Sequence, residues 1–131
     1  MISLKSLHEM TPTEVHQLYK LRVDVFVAEQ HCPFNEIDDQ DASPDTRHIL
    51  AFDGDTLAGC ARVFPTADGS RFGRFVVHPD HRGSGLGPEI VRTGIAYTER
   101  FPGDLIVEAQ SGLVGYYCLL YTSDAADDMQ C

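Results

Sequence analysis

Residues 77–87 read VHPDHRGSGLG, and no other part of the chain limits the fold so narrowly. A run of strand character ends there, and glycine then stands at every second position, Gly83, Gly85 and Gly87. Without Cβ atoms these residues take backbone angles closed to others and let N–H groups converge on an anion. Pro88 follows in what reads as the first turn of a helix, where its missing N–H costs nothing. That helix turns the positive end of its dipole back on the glycines, and Arg82 adds a formal charge. The segment predicts a strand–turn–helix unit able to hold a phosphate or pyrophosphate. A plain glycine-rich connection is the competing reading, and the flanking V-x-P-x-x-R-G-x-G-L-G pattern weighs against it.

The spacing narrows the ligand. There is no GxxxxGK[ST], which excludes an ATP-type P-loop. GxGxG is not GxGxxG, and no early strand–helix–strand unit precedes it, so a dinucleotide fold is disfavoured. Ten Lys and Arg against twenty Asp and Glu give a formal charge of −10. Such a surface repels nucleic acid and attracts cationic amines. No apolar run approaches the roughly 20 residues of a membrane span. The first ten residues lack a secretory core, so a cytoplasmic setting is expected, with the four cysteines reduced. At 131 residues one domain is expected.

Along the chain, Thr11, Pro12 and Glu14 mark a capped helix start. Val15, Leu18, Tyr19, Arg22 and Phe26 follow at helical spacing, predicting a helix over 11–30. Residues 30–46 are acidic and broken by Pro33 and Pro44, a long loop with room for one helical turn. Strands are predicted over 48–54 and 56–64, joined by Asp53-Gly54-Asp55, then over 71–78. A helix is predicted over 89–101, in which Gly94 costs about 1 kcal/mol relative to Ala and marks close packing. A last strand over 104–110 precedes a further helix from residue 111. The order is that of an α/β sandwich around a mixed sheet.

The glycine segment resembles the acyl-CoA turn of the GNAT N-acyltransferase superfamily, with Arg82, Gly85 and Gly87 in register. A second stretch, LRVDVFVAEQHCPFNEIDDQD followed by RHIL, resembles the N-terminal signature of that superfamily's ElaA-like branch. Leu21, Arg22, Val25, Phe26, Val27, Glu29, Gln30, Cys32, Pro33, Asp38, Asp41 and His48 carry it. The resemblance implies a mainly antiparallel mixed sheet flanked by helices, and acetyl-CoA as co-substrate. It places the pyrophosphate on the backbone of Arg82, Gly83, Ser84, Gly85, Leu86 and Gly87. The pantetheine arm falls along Phe75, Val76 and Val77, and the acyl acceptor is an amine.

Amine acetylation requires a polarised thioester, a deprotonated amine and a proton for the leaving thiolate. Backbone N–H groups at 75–77 suit the first task. A lysine-like amine has a pKa of about 10.4, so a base is useful. Glu29, Asp38 and Glu108 are the candidates, Glu29 foremost. The resemblance assigns the thiolate's proton to Tyr117, beside Tyr116, with a core aromatic as the alternative reading. Arg22 reads either as an orienting cation or as one half of a surface ion pair. His31, Cys32, Asp38, Asp39, Asp41 and His48 invite a metal or thiol reading, but they match neither zinc nor EF-hand spacing, and no metal is expected. A CoA-binding relative without turnover is the second functional reading.

Beyond Tyr117 the sequence CLLYTSDAADDMQC departs from the family. Residues 118–128 resemble the translation of a transposase-type sequencing adapter, and the two strands that complete such a sheet find no counterpart. The expectation is an incomplete domain over 1–117 and a non-native tail over 118–131. Exposed apolar surface and poor stability follow from it.

Overall fold

The computed structural model describes residues 1–29 and 37–107. Among the described residues five strands form one sheet in sequential order: β1 (Ile2–Lys5), β2 (Arg47–Asp53), β3 (Thr56–Thr66), β4 (Gly69–Val77) and β5 (Asp104–Val107). The first four run antiparallel and β5 pairs parallel to β4. Helix α1 (Pro12–Val23) passes directly into a π-helical stretch, Asp24–Glu29. Helix α2 (Leu86–Thr98) crosses from β4 to β5. The sheet is mixed and mainly antiparallel, as expected.

Alternation along the strands divides the core into two layers. Ile49, Ala51, Ala61, Val63 and Phe72 meet Ile90 and Val91 of α2. Leu50, Leu57, Cys60 and Val76 meet Leu18, Leu21, Val25 and Phe26 on the other face. The helices therefore cover opposite sides of the sheet. Gly94 lies against the Phe72 ring, where a Cβ would overlap ring carbons. This is the close packing its position in the helix predicts. Thr11 caps α1, accepting from the Glu14 N–H at 3.1 Å while Glu14 accepts from the Thr11 N–H at 2.9 Å. This reciprocal pair is the start signal read from the sequence.

Among the described residues two bulges break the alternation. Ala51 faces Gly59 while Phe52 faces Leu57, leaving Ala58 as an extra residue in β3. Cys60 faces Val76 while Arg62 faces Gly73, so two residues of β4, Arg74 and Phe75, oppose Ala61. The second bulge reverses parity, putting Phe72 on the α2 face and Val76 on the α1 face. Arg74 takes φ 51°, the one non-glycine residue with positive φ among the described residues. That conformation costs an L-residue roughly 1–2 kcal/mol.

Several elements differ from expectation. β1 carries too short a pattern to be recognised alone, and pairing with β2 creates it. Helix α2 begins at Leu86, earlier than expected, and stops at Thr98. The expected helical turn in the acidic loop is a 3₁₀ turn at Asp39–Ala42. Residues 108–110 of the expected last strand, the helix from 111 and the tail lie outside the described residues.

Candidate functional site

The glycine turn sits where β4 ends and α2 begins. A short 3₁₀ turn, Pro79–His81, leads from the strand into it. Gly83 and Gly85 take φ 83° and 88°, left-handed values, and Gly85 is the N-cap of α2. A Cβ at either position would meet no atom within 4 Å. Glycine is required here for its backbone angle, and the space before it is open. The first-turn N–H groups, those of Leu86 and Gly87, have no intrahelical acceptor by helix geometry. The first helical bond to reach back to the cap is Glu89 N–H to Gly85 C=O, at 3.4 Å. Exposed Arg82 donates from Nε to the Val77 carbonyl at 3.0 Å, folding its side chain back over the end of β4. Open space, left-handed glycines, a helix N-terminus and an adjacent guanidinium together fit a pyrophosphate.

β4 leads to the turn along the residues expected to hold the pantetheine arm. Among the described residues the β4–β5 ladder ends at the pair Phe72–Val107, so Gly73 to Val77 runs on past the described end of β5. Val76 is buried on the α1 face, while Phe75 and Val77 are half-buried against the α2 layer. The Arg74 bulge falls between the paired and extended halves of the strand. Strained backbone of this kind clusters at ligand sites.

The acidic loop forms a buried ion network on the α1 face. Arg22 is 1% exposed and Asp41 0%. They pair through two contacts, Nη1–Oδ1 at 2.7 Å and Nη2–Oδ2 at 3.2 Å. Arg62 bridges Asp41 at 3.0 Å and Asp38 at 2.7 Å, and Arg74 reaches Asp38 at 3.4 Å. Buried His48 donates from Nε2 to the Asp41 carbonyl at 3.0 Å. Its pKa is lowered, because burial disfavours the imidazolium more than neighbouring Asp41 favours it. Arg22 is thus an orienting cation for Asp41, and the surface-pair reading does not hold.

The same network removes Asp38 from the base candidates. Burial pushes its carboxyl up, but the Arg62 hydrogen bond and charge, joined by Arg74, outweigh burial and hold it below the ordinary 3.8. A carboxylate so stabilised is a poor proton acceptor. Asp38, Asp41 and His48 are committed to arginine and backbone partners, which leaves the metal reading no support at those three positions. Arg62 and Arg74 were not singled out from sequence. An arginine amid the apolar residues of 57–64 was the available signal. Glu29 closes the π-helical stretch, but its side chain, and all of Cys32, Glu108, Tyr116 and Tyr117, lie outside what is described.

A profile of the Acetyltransferase (GNAT) family matches residues 15–120. Protein ElaA of Escherichia coli strain K12 is 33% identical over 124 residues, covering 89% of this chain and 81% of ElaA. The crystal structure of Escherichia coli ElaA superposes with TM-score 0.79 at 29% identity, over 89% of this chain and 84% of that one. An acyl-CoA N-acyltransferase from Pseudomonas aeruginosa superposes with TM-score 0.80 at 30% identity, over 89% and 82%. Family, fold and turn agree on a protein of the acyl-transfer class, whose members generally use acyl-CoA as co-substrate. The chain belongs to the GNAT acetyltransferase family and is a homologue of ElaA.

Proposed function

We propose that the protein transfers an acetyl group from acetyl-CoA to an amine of a small molecule or peptide, by direct attack. The observation that carries this reading is the left-handed pair Gly83 and Gly85, the second of them capping α2, beyond the end of the bulged strand in a chain of this family. Bound acetyl-CoA supplies a thioester, an acyl group activated towards nitrogen nucleophiles. In this reading the backbone of Arg82, Gly83, Ser84, Gly85, Leu86 and Gly87 holds the pyrophosphate. The backbone of Phe75, Val76 and Val77 aligns the pantetheine arm, and N–H groups there favour charge developing on the thioester oxygen.

The new bond joins the amine nitrogen to the acyl carbon while the carbon–sulfur bond breaks. Glu29 takes the amine proton, with Glu108 as the other candidate. Tyr117 gives its phenolic proton to the departing thiolate. A phenol with a pKa of about 10 stays protonated at neutral pH and is acidic enough to donate. The formal charge of −10 supports a cationic acceptor such as a polyamine or a basic peptide. A protein acting on such a soluble pair needs neither nucleic acid nor membrane, and a cytoplasmic setting suits it. No helix among the described residues is long and apolar enough to cross a membrane.

The test is thiol release from acetyl-CoA in the presence of a panel of amines. Turnover with at least one amine is expected, and Tyr117→Phe is expected to lower kcat about 100-fold with CoA affinity kept. CoA binding without thiol release from any amine would overturn catalysis and leave a CoA-binding relative.

A further inference from the structure

Besides its own Arg82–Val77 bond, the glycine turn is held from the neighbouring hairpin. His78 and His81, which carry the chain into it, are fastened to the β2–β3 hairpin at two points. The Ala58 carbonyl accepts the His78 N–H at 2.8 Å, one step beyond the Gly59–Val77 pair of the β3–β4 ladder. The second point is a side-chain bond across the end of the sheet, His81 Nε2 to Asp53 Oδ2 at 3.1 Å. Asp53 is a carboxylate and accepts only, so the imidazole proton lies on Nε2. His81 Nδ1 is buried without a partner, consistent with that tautomer.

From His81 the restraint passes into the glycines. Its carbonyl accepts both the Ser84 hydroxyl, at 2.6 Å, and the Ser84 N–H, at 3.3 Å. Ser84 lies between the two left-handed glycines, so His81 anchors the middle of the turn. The hairpin at the other end is itself held. Gln17 of α1 donates to the Asp55 carbonyl at 3.3 Å and accepts from the Leu57 N–H at 2.9 Å. The first residue meets Phe52 through Met1 N to Phe52 O at 3.0 Å and Phe52 N to Met1 O at 2.9 Å. The hairpin tip is therefore a fixed post, and Asp53 is the side chain that connects it to the turn.

We infer that Asp53 and His81 are positioning residues for the acyl-CoA site: the Asp53–His81 bond holds the 83–85 turn in its ligand-ready geometry. This rests on the acyl-CoA reading above. Neither side chain is a catalytic residue, since each acts through Ser84 and the turn backbone. A turn already held in its binding geometry loses less conformational freedom when the ligand arrives, so the bond acts on affinity. Asp53 is 75% exposed at its side chain, which keeps the contact's worth modest.

The experiment is calorimetric titration of CoA into the 131-residue chain and its variants Asp53→Ala, His81→Ala and the double variant, with Asp53→Asn as the conservative replacement. Asp53→Ala is expected to weaken CoA binding about fivefold, on the scale of one partly exposed hydrogen bond. The double variant is expected to be no weaker than the weaker single variant. The Asp53→Asn variant keeps an acceptor oxygen and is expected to restore affinity to within twofold, a rescue that general loss of stability would not give. In turnover the change is expected in KM for acetyl-CoA, with kcat held. Additive single effects, no rescue by Asp53→Asn, or unchanged affinity in Asp53→Ala would overturn the inference alone. Failure of the unaltered chain to bind CoA would overturn the acyl-CoA reading, and this inference with it.

Discussion

Asp41 shows how one carboxylate can organise several elements. Burial raises its pKa, but the hydrogen bond and charge of Arg22, then the Asp38 N–H and Arg62, outweigh burial and hold it below the ordinary 3.8. Its folded pKa lies below its unfolded one, so its stabilisation is complete above about pH 3.8 and is lost as pH falls through the lowered value. His48 has the same sign at higher pH. Its pKa is depressed below 6.5, so that contribution is present above 6.5 and fades as pH falls below it. Acid unfolding followed by circular dichroism is therefore expected to show an early loss of stability from His48 and a later one from the carboxylates. His48→Gln is expected to remove the early loss. Asp41→Asn removes the buried carboxylate charge that Arg22 and Arg62 share and is expected to cost about 3–5 kcal/mol at neutral pH. It is also expected to flatten the later acid slope. The residues of the 21–48 signature were legible as a pattern, but their work was not. Arg22, Asp38, Asp41 and His48 bind together parts of the chain up to 52 positions apart, counting Arg22 to Arg74, and spacing alone does not reveal such partners.

At the scale of elements, α2 meets two demands with two kinds of glycine. Gly94 makes room for Phe72, while Gly85 provides a left-handed cap before open space. Gly94→Val is expected to lower stability by about 3 kcal/mol through overpacking, with CoA affinity within twofold of the unaltered chain. Gly85→Ala is expected to weaken CoA binding about tenfold or more, through backbone strain and a methyl group in the ligand's space. Chemical denaturation and calorimetry separate the two. The start of α1, the hairpin turn and the glycine unit were readable in the sequence because each is local chemistry: a cap, a turn dipeptide, a backbone angle. β1 and both bulges were not, because pairing across the sheet creates them. The β4 bulge matters most, since it reverses which residues face each helix beyond Arg74.

The whole molecule places the turn at the end of a sheet covered on both sides, where α2 can direct its N-terminus outwards from a fixed base. Sheet, helices and turn match the family that the 77–87 and 21–48 patterns resemble, and the chain spans 81% of ElaA's length. The central claim is that the Gly83–Gly85 turn is an acyl-CoA site. Its most direct measurement is calorimetric titration of acetyl-CoA into the 131-residue chain and into Gly85→Asp, which sets a carboxylate where the pyrophosphate is expected. Saturable binding at one site per chain is the predicted result, weakened at least tenfold in Gly85→Asp although the fold by circular dichroism is unchanged. No saturable binding by the unaltered chain, or equal affinity in the two proteins, would contradict it.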